Sequence, residues 1–489
     1  MPARGPRREG AVRYASPVRS LNRETPVCFF LGLMFLFPAG ARGAESAYPP
    51  PPPAGQPFSV TDTVYGVLRT HRNLRGMQEN RQVLEHELDR AKAGFGPRVD
   101  VTGRAGSSVL SDSTTRSEDL DSQMWGLVDV SAQLVQPIWD GFATRSRVRS
   151  ARATLESVKH RVFDTATSLS LDGIIAHIDL LRRRNILALS ERNVARHKTL
   201  VGQAQDRASL GADTAADVTQ AQSRLQRALS NLSEAKAALL VAEETYTRLT
   251  GLPAMGRLQP VSLPPELYSG PKDAIAQAEQ NNPKLAAYLQ DIRAARGERE
   301  LADAAMYPTL NLEAGPNYTD RGGASDRWVY SFDVMGVVRW NIFNSGADMA
   351  ERSAAAARVR QTRQTMYNFM DELKLDMEST WTNYQAAQEQ FKHYSKAIEY
   401  NQYTRTAYAE QFQIGRRSIL DVLDAESELY NSATQAETAH GNILVGAYRM
   451  CALTGKLLPQ LSINTAPLTK TPPKDKDDPR EEFAPGWFN

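Results

Sequence analysis

Cysteine is nearly missing from this sequence. The 489-residue chain has two, Cys28 and Cys451, which excludes a disulfide framework and a cysteine-rich metal cluster. Net charge is nearly missing too. Lys and Arg number 58 against 56 Asp and Glu, leaving +2, whereas a nucleic-acid binder needs a basic surface for its phosphate contacts. Bulk apolarity is low, with a mean hydropathy of −0.45. Catalytic signatures are wanting as well. The seven His show no metal-ligand spacing, and "LEHELD" around His86 is not H-E-x-x-H. No glycine-rich phosphate loop follows a strand, and no nucleophile elbow occurs. No enzyme, metal or cofactor is expected. Proline is missing only in places. There are 27 prolines, yet 138–252 and 317–458 contain none. Both stretches are rich in Ala, Gln, Glu, Arg and Leu, strong helix formers, and read as very long helices.

What is present begins with an export signal. Six arginines precede "VCFFLGLMFLFPAG" at 27–40, and "ARG" at 41–43 followed by Ala44 offers a small-x-small cleavage site. The apolar run is too short to span a bilayer and suits a signal-peptide core, so 1–43 is read as a signal peptide whose removal takes Cys28 with it. A Pro-rich linker follows at 44–58. The end of the chain, 459–489, is rich in Lys, Asp and Pro beyond Ala466 and reads as a flexible tail.

The body between them repeats itself. "LGADTAADVTQAQSRL" (210–225) aligns with "IGRRSILDVLDAESEL" (414–429) at an offset of 204, which also places Ile138 on Ile342 and Gly251 on Gly455. Upstream the offset is 211, placing Leu74 on Leu285 and Pro97 on Pro308. The chain therefore reads as an internal twofold repeat, 59–254 and 272–458, joined by a linker at 255–271. Each unit has one order: a helical segment (62–94; 272–306), a strand opening at a proline (97–106; 308–318), a polar loop, a second strand (124–138; 328–342), a helix of ~66 residues and hence ~100 Å, a glycine turn at Gly211 or Gly415, and a last helix.

The strands alternate strictly. In "WVYSFDVMGVVRWNI" (328–342), Trp328, Phe332, Val334, Val338 and Trp340 share one face, while Ser331, Asp333 and Arg339 share the other. Apolar-out, polar-in alternation with aromatics at the rims is the pattern of a transmembrane barrel. The competing reading is the edge of a secreted β-sandwich; the signal peptide and the ~100 Å helices favour the barrel. Four strands cannot close in lipid, where open edges are not tolerated, so the sequence asks for an oligomer. Two chains or three would close.

At "IGRRSILDVLDAESELYNS" (414–432), with "QPIWDG" (136–141) and the paired helices, the chain resembles the TolC family of outer-membrane channels over about 58–462. The resemblance implies an α+β membrane protein in the outer membrane of a Gram-negative bacterium. Its form would be a homotrimer with a 12-stranded barrel, four strands per chain, continued by a long periplasmic α-helical barrel. It implies docking through a periplasmic adaptor onto an inner-membrane ABC or RND transporter. "LDVLDAESELY" is nearest the branch serving type I protein secretion, with multidrug efflux as the competitor. A periplasmic coiled-coil scaffold or adaptor would explain the helices but not the lipid-patterned strands. By resemblance, Asp421 and Asp424 ring the periplasmic entrance, and Arg417 pairs with Asp217 as a gate salt bridge. The family often carries a tyrosine at the position of Phe412, so a hydroxyl bond would be absent here. Helix capping is the plainer role for two of these acids, because Thr214–Asp217 and Ser418–Asp421 both read as capping boxes.

Overall fold

The computed structural model is described over residues 48–469, save 51, 54–55, 110, 112, 118–123 and 323–327. The expected signal peptide and the segment 470–489 lie outside the described residues. All described residues belong to one unit, Glu45–Asn489.

The first half opens with α1 (Val60–Thr70) and α2 (Arg72–Ala93), followed by β1 (Arg98–Val109), a single short helix α3 (Ser113–Ser117) and β2 (Met124–Trp139). It ends with α4 (Ala143–Ser209) and α5 (Ala215–Thr250). The second half runs α6 (Pro271–Asn281), α7 (Pro283–Ala304), β3 (Thr309–Gly322), β4 (Trp328–Arg339), α8 (Ala347–Gln413) and α9 (Ile419–Leu453). A short α10 (Leu457–Gln460) and a 3-10 turn (Ala466–Thr469) close the described chain. Helices α4 and α8 are each 67 residues long, or ~100 Å.

The helical segments expected over 62–94 and 272–306 are each two helices. In the second, Pro283 stands at the first position of α7, where its missing N–H costs nothing. Asn282 caps that helix by accepting from Leu285 N–H at 3.0 Å. In the first, no proline marks the break. His71 turns extended, and its N–H closes α1 on the Val67 carbonyl at 3.0 Å.

The strands form one antiparallel sheet in the order β1-β2-β3-β4, so β2 and β3 join the two halves. Register sorts the side chains by face. Val99, Leu134, Ala314 and Val334 stand in one apolar row across all four strands. Thr102, Ser131, Asn317 and Ser331 form a polar row on the opposite face. On that polar face Glu313 is buried, accepting from Gln133 Nε2 at 2.9 Å and pairing with Arg339 at 2.9 Å. Strand β4 is shorter than the expected 328–342. Its last pair is Arg339 with Thr309, where β3 begins, so Trp340 has no partner strand. Its indole N–H instead donates to the Met306 carbonyl at 3.1 Å, leaving Trp340 just beyond the sheet.

The long helices pack as coiled coils. Helix α5 buries Ala221, Ala228, Ala235 and Ala242, one every seven residues. Helix α8 does the same with Met366, Leu373, Thr380 and Ala387. A seven-residue repeat keeps one seam facing its neighbour, here over ~30 Å of each helix. Truncating one of the larger members, such as Leu373 to Ala, should cost about 2–5 kcal/mol.

Two flanking segments depart from expectation. Residues 459–469 of the expected tail are packed, because Leu457, Leu458, Ile463 and Leu468 enter a core with Tyr48, Val64 and Tyr448. Buried Arg81 donates to the Leu468 carbonyl at 3.4 Å and pairs with Glu85 at 3.3 Å. These apolar residues are spaced to cover the base of α9, which keeps 459–469 packed. The 44–58 linker is likewise tied at its end: Phe58 is buried, and its backbone bonds Arg257 and Gln259 at 2.8 and 2.9 Å. The arginines at 182–184 are occupied. Arg182 and Arg183 pair with Asp179, and Arg184 donates to the Gly256 and Ala254 carbonyls.

Candidate functional site

The two hairpin turns lie at the far ends of α4 and α8 from the sheet. Gly211 and Gly415 adopt φ of +73° and +75°, the left-handed region that an L side chain enters only under strain. Each turn closes in the same way. Ala212 N–H bonds Arg207 O at 2.9 Å and Gly211 N–H bonds Ala208 O at 3.0 Å; Arg416 N–H bonds Gln411 O at 2.8 Å and Gly415 N–H bonds Phe412 O at 3.0 Å. This paired closure satisfies helix-end carbonyls that would otherwise lack donors.

The helices leaving the turns are capped differently. Thr214 and Asp217 form the expected capping box, with Asp217 N–H to Thr214 Oγ1 at 3.2 Å and Thr214 N–H to the Asp217 carboxylate at 3.1 Å. The Thr214 hydroxyl, then its backbone N–H, hold the Asp217 carboxyl below the usual range. The second box is not formed. Ser418 accepts from Leu420 N–H at 3.2 Å, and Asp421 turns to Arg417, 3.5 Å away. The guanidinium competes with the cap and wins, because a charged donor is the stronger one.

Arg417 is engaged inside its own hairpin. Beyond Asp421 it donates to Gln411 Oε1 at 3.2 Å and lies 4.2 Å over the Tyr408 ring. Among the described residues no ion pair joins Arg417 to Asp217 within the chain. Asp424 meets Arg224 of α5 at 2.7 Å and keeps a side chain 58% exposed. The structure thus brings Arg417, Asp421 and Asp424 to one tip, with each aspartate beside an arginine.

Two residues of this region carry more than their sequence signal suggested. Glu426 is 6% exposed, between Arg196 at 2.8 Å and Arg405 at 3.8 Å. A buried carboxylate held by arginines from α4 and α8 ties three helices together. Its signal is an acid standing in the apolar seam of α9. Arg207 is the other. It stands four residues before Gly211, where the second half has Gln411, and that departure from the repeat is the clue.

Among the described residues no helix is long and apolar enough to cross a membrane, and no cluster of His, Cys, Asp or Glu is placed to hold a metal. The chain thus combines a four-stranded sheet with one apolar face and long helical hairpins with charged tips. The chain belongs to the outer membrane efflux protein family, whose model matches residues 64–252 and 274–456. It is similar to the outer membrane efflux protein BepC of Brucella suis, at 25% identity over 82% of this chain and 86% of the relative. It is similar to the alkaline protease secretion protein AprF of Pseudomonas aeruginosa, at 23% identity over 77% and 81%. In fold it matches the outer membrane protein VceC of Vibrio cholerae with a TM-score of 0.70, over 83% of this chain and 96% of that one, at 15% identity. The protein is a TolC-like outer-membrane channel of tripartite systems, reaching into the periplasm, and a transport protein rather than an enzyme. Members of this family form trimeric channels that work with periplasmic adaptors and inner-membrane transporters.

Proposed function

We propose that three copies of this chain close a twelve-stranded barrel and a periplasmic helical tunnel, and that the tunnel serves type I protein secretion with an inner-membrane ABC pump and its adaptor. The carrying observation is the pair of open sheet edges. β1 and β4 each pair on one side only, and in lipid the unpaired backbone groups must find another strand. Joining β1 of one copy to β4 of the next supplies it, and three copies leave a wider lumen than two. The likeness of both halves, with α4 and α8 beginning at 143 and 347, supports an origin by internal duplication. It makes the trimer a ring of six similar hairpins. Secretion is favoured by the similarity to a protease secretion protein. The similarity to BepC, named an efflux protein, supports multidrug efflux with an RND pump as the second reading.

At the tips, Asp421 and Asp424 would ring the entrance, and Arg417 would exchange Asp421 for Asp217 of the neighbouring copy. Deletion of the gene, followed by proteomics of the culture medium and a drug-susceptibility panel, tests the assignment. Loss of one or a few large secreted proteins with unchanged susceptibility is expected. A broad susceptibility increase with an intact set of secreted proteins would transfer the protein to efflux. Native mass spectrometry of detergent-extracted protein tests the trimer, and a dimer mass would refute it.

A further inference from the structure

Helix α4 opens against its own dipole. Residues 143–155 hold Arg145, Arg147, Arg149 and Arg152 and no acid. A helix N-terminus carries partial positive charge and favours anions, so cations gathered there call for negative charge from outside the helix. The second half has no such cluster. The offset of 204 puts Met349, Glu351, Ser353 and Ala356 at the same positions, and α8 carries Asp348 in its first turn.

The neighbouring acids are already used. Asp140 accepts the Thr144 N–H at 2.6 Å, Glu300 of α7 takes Arg149, and Glu156 pairs with Lys159 at 2.8 Å. Among the described residues Arg145, Arg147 and Arg152 are exposed and have no hydrogen-bond or ionic partner.

The sheet fixes their depth. β2 ends at Trp139 and α4 begins at Ala143. Exposed aromatics gather at this end of the sheet: Phe95, Trp139, Phe142, Tyr307, Trp340 and Phe343. Phe142 holds a φ of +70° where the second half has Gly346 at +83°. A bulky side chain is thus kept in left-handed backbone, and its ring centroid lies 4.5 Å from that of Trp139. Aromatic belts stand at the boundary between bilayer and water. Arg145 lies ~3 Å and Arg152 ~14 Å beyond Ala143 along the helix, and helical side chains lean toward the N-terminus, here back toward the sheet. The headgroup layer of one leaflet is ~5–8 Å deep.

The packing fixes their side. Arg145 and Arg152 stand about two turns apart on one face of α4. About seven turns after Arg152, that face reaches His177, which bonds Thr63 of α1 at 2.8 Å. In the proposed tunnel the layer holding α1 cannot lie in the bore, so this face is the outer one. Arg147 stands on the opposite face.

We propose that Arg145 and Arg152 hold the phosphate headgroup of an anionic phospholipid of the periplasmic leaflet, so that each copy of the chain carries one such site, on its first half alone. This rests on the reading of the sheet as a lipid-facing barrel. Attraction to an anionic bilayer is worth about fivefold in affinity per arginine. The test is native mass spectrometry of the detergent-extracted protein titrated with phosphatidylglycerol, or with phosphatidylethanolamine of the same acyl chains and no net charge. The wild type should prefer phosphatidylglycerol. Arg145→Gln with Arg152→Gln should weaken that binding about 25-fold and leave phosphatidylethanolamine binding as it was. Lysine at both positions should keep most of the preference, since it keeps the charge. Arg147→Gln should change neither lipid. Equal binding of the two lipids, unchanged phosphatidylglycerol binding in the double Gln variant, or an equal loss in Arg147→Gln would overturn the site and leave the barrel reading intact. Displacement of the lipid by inorganic phosphate would make it a free-anion site and also overturn it. Binding of neither lipid would remove both the site and the lipid-facing sheet.

Discussion

Placing an arginine at Val334 tests which face of the sheet meets lipid. Val334 is the seventh residue of β4 (Trp328–Arg339) and is 60% exposed. Its row, Val99, Leu134 and Ala314, is apolar through all four strands. That places it near the middle of the apolar band, where Arg on the lipid face costs about 2–4 kcal/mol. In the proposed trimer the change occurs three times, a total of about 6–12 kcal/mol, the size of a whole domain's stability. Ser331 is three residues away on the other face, in the row of Thr102, Ser131 and Asn317, and bonds Asp333 at 3.2 Å. An arginine there enters an aqueous lumen beside a carboxylate and should cost under about 0.5 kcal/mol. The assay is the yield of heat-modifiable trimer in outer-membrane fractions. Val334→Arg should abolish most of it, and Ser331→Arg should spare it. Equal losses, or the reverse order, would refute the assignment of faces.

Buried His177 accepts a bond from, or donates one to, Thr63 at Nδ1 (2.8 Å), and its Nε2 meets the Gln259 carbonyl at 3.0 Å. Burial, with Arg184 nearby, depresses its pKa against the pull of the Gln259 carbonyl and Asp62. The unfolded chain therefore binds a proton first, near pH 6.5, so stability is flat above that pH and falls below it. Urea melts should move to lower midpoints between pH 7.5 and 5.5 in wild type and less so in His177→Gln; equal shifts would refute the role. Burial, then the field of Glu266, pushes the Cys451 thiol up to about 12, so native trimers should resist iodoacetamide at pH 8 and label only on denaturation. Stoichiometric labelling of native protein would refute that environment.

The parts of the fold that were legible in the sequence are those set by period. Strict alternation placed the faces of β4, and the proline-free stretches, each divided by its glycine turn, announced the length of α4 and α8. Glycines at 211 and 415 marked the turns because φ near +75° admits little else. What was hidden depended on partners distant in the chain. The break at His71 has no proline to announce it. The packing of 459–469 depends on Arg81, almost 400 residues earlier, bonding Leu468. The exact end of β4 depends on where β3 starts. The pairing of Asp421 with Arg417 instead of its cap was a contest between two local options, and propensity ranks only one of them.

In the proposed entrance, the tip chemistry would limit how strong a gate can be. Asp421 and Asp424 are not bare carboxylates: Arg417 and Arg224 stand at 3.5 and 2.7 Å. The proposed ring of six acids is thus matched by six guanidinium groups, and its field on a passing cation is that of short dipoles, weaker than that of free charges. Each such exposed pair contributes at most about 1 kcal/mol. A gate made of one pair would leak. Threefold symmetry multiplies the contact without strengthening it, and about 1.4 kcal/mol in total already gives a tenfold preference for one state. In the proposed trimer, weak contacts repeated around an axis would suffice to keep the entrance shut, and would leave it within reach of a docking partner that supplies only a few kcal/mol. A single buried pair of the Glu426 kind would hold more firmly, but it would resist release by several kcal/mol. The most buried of these ion pairs, Arg196–Glu426, lies along the α4–α9 seam, and the more exposed ones lie at the turns, which would part in the proposed entrance.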